Sequence, residues 1–468
     1  MADVVRHGPA PKPKRGPYLR VLTNSERTSS ACDRRWWFAY HLGLTVEASA
    51  PLRQGSLVHR LLAAWYQGGM TAGIVSLWQD VGEGWLEERR HHIEARTPAH
   101  LRTERHEEDQ ELALASMGIV DHYIQTHGDH DRENWEIIAV EAQAGRVLPH
   151  PVTGKPITDR IAVGGKLTLR TWVHAGQMDL VIRDRRTGLV WAVEHKTTVD
   201  TDLEGYCRKL HLDPQIRGYH WLLEDPDPRW STPALLGLGE VSGVIYNVLR
   251  KAVPRVPPLL KPKKEGQPSP GLSKAKIDTT EAVYLDEIQR HGFNPDDYAD
   301  LLMDLRQKRF FTRDQYPIGP LDTLDWVADH GHWALGRVAA SKPTAHHTRQ
   351  TAMCQGIATP ICPFASPCME DGSWTRSGYA TKTIRHEELV GDLSEPHAGL
   401  ERAAYVIEPP AFIAAAKAAK AAAAKATAAV ERAEEQGDPF GSDWAAQPPL
   451  EYPSDPDLDS MPDPFAES

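Results

Sequence analysis

Gly176-Gln-Met-Asp179-Leu-Val-Ile-Arg-Asp184-Arg-Arg-Thr-Gly188-Leu-Val-Trp-Ala-Val-Glu194-His-Lys196-Thr-Thr198 decides the fold. Leu180, Val181 and Ile182 read as one strand, Asp184 to Gly188 as a turn, and Leu189 to Val193 as a second apolar strand. The segment is therefore a β-hairpin, with Asp179 on its first arm and Glu194 and Lys196 on its second. Glu194 and Lys196 are two residues apart, so their side chains leave the same face. On the residues alone this can be an exposed hairpin with a neighbouring Glu/Lys pair. If the face is buried, Asp, Glu and Lys together are costly unless something compensates their charge. A hard divalent cation held by the two carboxylates would do so.

Other segments cluster around the hairpin in order. In Gly55-Ser-Leu-Val-His59-Arg-Leu-Leu-Ala-Ala-Trp65, Val58, Leu61, Leu62 and Trp65 recur at helical spacing, and His59 lies beside that apolar face. Trp135-Glu-Ile-Ile-Ala-Val-Glu141 is strand-like and leads toward the hairpin, with Glu141 expected to end that strand or face the site. After the hairpin, Gln215-Ile-Arg-Gly-Tyr219 has the four-residue spacing that puts an amide and a phenol on one helix face. Both groups can orient a phosphate or the lysine without adding charge.

The ordered set His59, Asp179, Glu194-x-Lys196 and Gln215-x-x-x-Tyr219 resembles the RecB-like branch of the PD-(D/E)XK nuclease superfamily. Met178 stands where the superfamily's eponymous proline would be. The resemblance implies an α/β fold: a restriction-endonuclease-like core with a mixed central sheet flanked by helices. It implies a metal-dependent deoxyribonuclease in which Asp179, Glu194 and His59 hold Mg²⁺ or Mn²⁺. Lys196 would orient the attacking water or stabilise developing charge, Gln215 and Tyr219 would position DNA, and Glu141 would help orient the metal site or simply end its strand. The activity it suggests is exonucleolytic cleavage of single-stranded DNA ends, in recombination, repair or phage DNA processing. A non-cleaving DNA-end-binding scaffold is the alternative.

The chain has five cysteines. Cys354, Cys362 and Cys368 fall within fifteen residues, Cys32 lies near the start, and Cys207 stands apart. Met1–Arg20 has no secretory apolar core, and no run approaches the ~18 apolar residues that span a bilayer. A cytoplasmic chain is expected, in which clustered cysteines read as a metal site. One N-terminal cysteine and three C-terminal ones resemble the iron–sulfur branch of the superfamily, where a [4Fe–4S] cluster clips the two ends of the domain together. That branch includes CRISPR-associated exonucleases and phage exonucleases. Seven residues separate Cys354 from Cys362, where the branch usually has two. A four-cysteine Zn²⁺ site is the alternative.

The net charge of −11 looks wrong for an enzyme of nucleic acid. Residues 437–468 hold eight acids and no Lys or Arg, so without them the remainder is −3. Arg250 to Lys276 carries eight bases among six prolines and reads as an extended loop, either simply solvated or able to track a phosphate backbone. The expected organisation is a basic arm (1–17), a nuclease domain with its cysteine clip (18–385), a linker (386–410), an Ala/Lys-rich helical spacer (411–436) and a disordered acidic tail (437–468). Within the domain, about 67–130 is helix-patterned and expected to cap the cleft. The tail repeats Asp-Pro-Phe at 438–440 and 463–465. In this it resembles the tip of bacterial single-strand DNA-binding proteins, which implies a replication or repair partner; a tail that serves only solubility is the alternative reading.

Overall fold

The computed structural model describes residues 18–350 except 164–165, 263–268, 276, 307 and 343–344, together with 362–365, 368, 379–381 and 389. The basic arm, the spacer, the acidic tail and Cys354 lie outside the described residues, as does the linker apart from Leu389.

Among the described residues nine strands form in chain order: β1 (Tyr18–Leu22), β2 (Leu44–Thr45), β3 (Trp135–Val147), β4 (Thr158–Val163), β5 (Lys166–Asp184), β6 (Val190–Thr198), β7 (Val241–Arg250), β8 (Phe311–Pro317) and β9 (Ala380–Thr381). Seven of them make one mixed sheet, in which β1–β5 and β6–β7 are parallel and the remaining pairs antiparallel. The expected hairpin is β5–β6, with Leu180 opposite Val193 and Ile182 opposite Trp191.

β5 is far longer than its apolar triplet suggests, and its two edges are used differently. One edge takes β4 and then β3. The other takes β1 along Arg170–His174 and β6 along Leu180–Arg183. Between those two partners, residues 175–179 are left without a strand on that edge. Asp179 sits at the upper end of this opening, where β6 begins to diverge.

Helices cover both faces, which explains the continuous apolar runs of β6 and β7. Pro214–Glu224 and Pro320–Ala340 pack on one face with Met178, Val181, Ala192, Trp221 and Trp326. Ala50–Gln67 and Arg102–Asn134 pack on the other with Leu180, Ile182, Val193, Trp65 and Tyr123. Full burial of one such side chain contributes about 1.5–3 kcal/mol. The position of the missing proline is thus a core site filled by Met178, which is fully buried.

The 67–130 region is helical, with Glu83–Arg96 and Arg102–Asn134 broken at Thr97-Pro98, as the sequence suggests. Glu141 does not end its strand. It lies in the middle of β3, past the register irregularity at Ile137–Ala139, with a φ of 50°. A glutamate in that left-handed region is strained, and such strain concentrates at functional sites.

The two ends of the described fold do meet. β2 pairs with β9, and Trp36, Trp37 and Phe38 share a core with Phe364, Cys362 and Cys368. Arg34 Nη1 donates to the Cys368 carbonyl at 3.3 Å and lies 3.9 Å from its sulfur. Cys32 immediately precedes this helical turn. Cys207 is buried elsewhere, in the main core on the face of the sheet that also holds Tyr219. Among the described residues no group of three His, Cys, Asp or Glu side chains is arranged to hold a metal ion, so the meeting of the two ends stands without an observed cluster.

Candidate active site

Asp179, at the opening of β5, accepts two hydrogen bonds. Its Oδ2 takes the backbone N–H of His195 at 2.6 Å, replacing a ladder partner where β6 leaves β5. Its Oδ1 is 3.0 Å from His59 Nδ1. His59 is delivered by the helix Ala50–Gln67, whose apolar face of Val58, Leu61, Leu62 and Trp65 is fully buried.

Glu194 and Lys196 leave the same face of β6, as their spacing requires. Lys196 Nζ donates to Glu194 Oε1 and to Gln215 Oε1, both at 2.7 Å. Gln215 Nε2 donates to Glu194 Oε1 at 3.0 Å and lies 2.6 Å from the Tyr219 hydroxyl. That hydroxyl donates to the Gln177 carbonyl at 2.7 Å, on the open edge of β5. The helix carrying Gln215 and Tyr219 starts at Pro214 and is capped by the Asp213 carboxylate on the Gln215 N–H. Gly176 permits this contact: a Cβ there would lie 2.9 Å from the Tyr219 ring.

Burial pushes the Glu194 carboxyl up to about 7, against the pull of the Lys196 ammonium and with the added repulsion of Asp179. Burial acts the same way on Asp179, but His59, His195 and their hydrogen bonds outweigh it and hold it at about 2. The same pairing raises His59 against its own desolvation. Glu141 is raised by burial and by Asp179, and its carboxylate accepts from the Gln177 amide.

Asp179, Glu194, Lys196, His59 and Glu141 all line one open cleft of about 740 Å³. Gln215 and Tyr219 stand behind it, through Glu194 and Lys196. Glu194 Oε2 is buried with no hydrogen-bond partner among the described residues. An orphaned carboxylate oxygen beside a second carboxylate suits a divalent cation: Asp179 and Glu194 would hold it, with His59 and Glu141 adjacent. Such an ion, when bound, polarises a phosphoryl oxygen and acidifies a bound water. Lys196 is held by Glu194 and Gln215 with its ammonium at the cleft wall, where it can stabilise charge developing on an attacked phosphate.

A proton on Glu194 competes with the cation. The carboxyl is protonated below about 7, so divalent-metal affinity should fall as pH drops through that value. The limiting slope is about tenfold per pH unit for one displaced proton. Mn²⁺ titrations across this range check it, and an affinity flat through pH 7 would refute the assignment of Glu194.

Sequence reasoning missed three parts of the surroundings. Lys251 lines the cleft but reads in the sequence as part of a basic loop. His195, between the two motif residues, supplies the N–H that holds Asp179. Beneath it lies a buried network of Asp131, Arg313, Tyr66, Tyr123 and Asn247. Only the unusual density of buried polar types in these elements hints at that network.

The sheet thus carries Asp179 and Glu194-x-Lys196 on adjacent strands that open into a charged cleft. The model of the PD-(D/E)XK nuclease superfamily matches residues 25–320, more than half of the chain, and the chain belongs to that superfamily. Membership implies a metal-dependent nuclease acting on DNA, and such nucleases typically use Mg²⁺ or Mn²⁺. No curated protein matches the chain. Among the described residues no helix is long and apolar enough to cross a membrane.

Proposed function

We propose that this protein is a Mg²⁺- or Mn²⁺-dependent DNA exonuclease that prefers single-stranded ends. The observation that carries the metal-dependent reading is the orphaned, buried Glu194 Oε2 beside Asp179 and Lys196. Asp179 and Glu194 bind the cation, and His59 orients Asp179 or joins as a ligand. Lys196 stabilises the attacked phosphate, while Gln215 and Tyr219 hold the lysine and the β5 edge in place. The preference for ends and single strands rests on the resemblance to the RecB-like branch. End-labelled and circular substrates, single-stranded and duplex, test it. Degradation of linear single strands with circles left intact is expected, and rapid cutting of circles would replace the exonuclease reading with an endonuclease one.

The four-cysteine iron–sulfur clip belongs to the same proposal, with Cys32, Cys354, Cys362 and Cys368 as ligands and Cys207 excluded. The packing of the Cys32 segment against the Cys362–Cys368 segment supports it. Anaerobically purified protein should be brown and lose its colour in Cys32→Ser, while Cys207→Ser keeps it. A colourless protein with one bound zinc would assign the sulfurs to Zn²⁺ instead.

A further inference from the structure

Among the described residues that line the cleft, Lys251 is a cation with no carboxylate beside it. Among the described lining residues, Arg60 pairs with Glu88 at 2.8 Å and Lys196 with Glu194 at 2.7 Å. Lys251 has no carboxylate partner among the described residues. It lies one residue beyond β7, and its N–H donates to the Thr198 carbonyl at 2.7 Å, extending the β6–β7 pairing. This turns its side chain back over the N-terminal turns of the helix Ala50–Gln67, where Nζ donates to the Pro51 carbonyl at 2.5 Å.

Gly55, on that helix, faces the same spot: a Cβ there would crowd Thr197 Oγ1 at 2.9 Å and would meet Lys251 Nζ at an ordinary contact distance of 3.8 Å. The Lys251 ammonium and the residue next to Lys196 therefore flank the same point of the cleft wall. An ammonium has three donors, and one is used. A partly buried cation without a counter-ion is destabilising on its own, and that cost is relieved when an anion arrives.

The other described bases of the 250–276 stretch differ. Arg250 is spent on Asp278 at 3.0 Å, and Lys274 bonds a backbone carbonyl and lies over the Tyr298 ring. Arg255 and Lys261 are exposed. Among the described residues the stretch is thus not a uniform basic track, and Lys251 is the one of them that lines the cleft.

We infer that Lys251 binds the DNA phosphate adjoining the one that is cut, and so sets the strand in register with Asp179, Glu194 and Lys196. This rests on the nuclease reading of the cleft. It makes Lys251 a substrate-binding residue acting mainly on affinity.

The test compares wild type with Lys251→Met, Lys251→Ala and Lys251→Arg, each first checked for a native melting transition. Lys251→Met keeps most of the apolar stem and so preserves packing if alanine does not. Cleavage of labelled DNA gives KM and kcat, and binding with Ca²⁺ in place of Mg²⁺ gives Kd against salt. Loss of a charge-assisted phosphate contact should raise KM about tenfold or more, with kcat falling far less. The slope of log K against log salt should become shallower by about 0.7 on single strands or about 0.9 on duplex, and Lys251→Arg should recover most of both. A folded Lys251→Met with wild-type KM and an unchanged slope would overturn the inference and leave the nuclease reading standing. A loss of kcat with the slope unchanged would overturn it equally, by assigning Lys251 a structural role. A wild type that cuts no DNA with any divalent metal would remove the reading itself, and the inference with it.

Discussion

Asp179→Ala and Glu194→Ala should each lower the single-turnover rate of DNA cleavage by about three orders of magnitude, with the protein still folded. The magnitude follows from what is lost: a cation's stabilisation of a developing phosphorane is several kcal/mol, and about 4 kcal/mol is a thousandfold. The two variants should differ in stability. Glu194 is a buried acid raised to about 7, with one oxygen unpartnered, so removing it relieves a strained group while leaving Lys196 with Gln215. Asp179 is satisfied on both oxygens, and its removal strands the His195 N–H and His59. Asp179→Ala should therefore melt lower than Glu194→Ala in metal-free protein. Lys196→Ala should cost similar activity, because its ammonium faces the cleft and leaves Glu194 Oε1 with Gln215 alone. Rates near wild type in these variants would show the chemistry to lie elsewhere.

The second large effect is on stability, away from the cleft. Asp131 is fully buried and accepts two hydrogen bonds from Arg313, at 2.6 and 2.7 Å, and one from Tyr66 at 2.9 Å. Arg313 also donates to the Tyr123 hydroxyl at 2.7 Å, and Asn247 links that hydroxyl at 2.8 Å to His195 Nδ1, also 2.8 Å away. Asp131→Ala leaves a mostly buried guanidinium without its counter-charge, a change worth about 3–5 kcal/mol. A denaturant titration should show the midpoint falling accordingly, with Asp131→Asn less affected because it keeps acceptor geometry. A loss under about 1 kcal/mol, the range of exposed pairs, would mean that water relaxes into the site. Because the network ends on His195, whose N–H holds Asp179, part of the activity should fall with it.

The geometry of the motif residues was more legible in the sequence than its setting. The spacings Glu194-x-Lys196 and Gln215-x-x-x-Tyr219 translate directly into one strand face and one helix face, and the structure joins them through Gln215 and Lys196. His59 was legible as a residue beside an apolar stripe, and it meets Asp179. Local periodicity carries such information because it needs no knowledge of distant partners.

What escaped is non-local. The run Lys166–Asp184 mixes polar and apolar residues because four strands share its two edges, so no single alternation describes it. Glu141 reads as a strand end since nothing local reveals that β3 continues past an irregularity to Val147. Asp131 and Arg313 lie on a helix and a strand far apart in the chain, each of which looks like solvated charge when read alone. Lys251 was hidden among neighbouring bases, and its place at the cleft comes with a backbone bond to Thr198, far away in the chain.

The most direct measurement is a time course of labelled linear DNA with purified wild-type protein in Mg²⁺, in Mn²⁺ and after chelation. The expected result is degradation with either ion, none after chelation, and recovery when the ion is restored. Degradation that persists undiminished in the chelated protein would contradict a metal centre at Asp179 and Glu194.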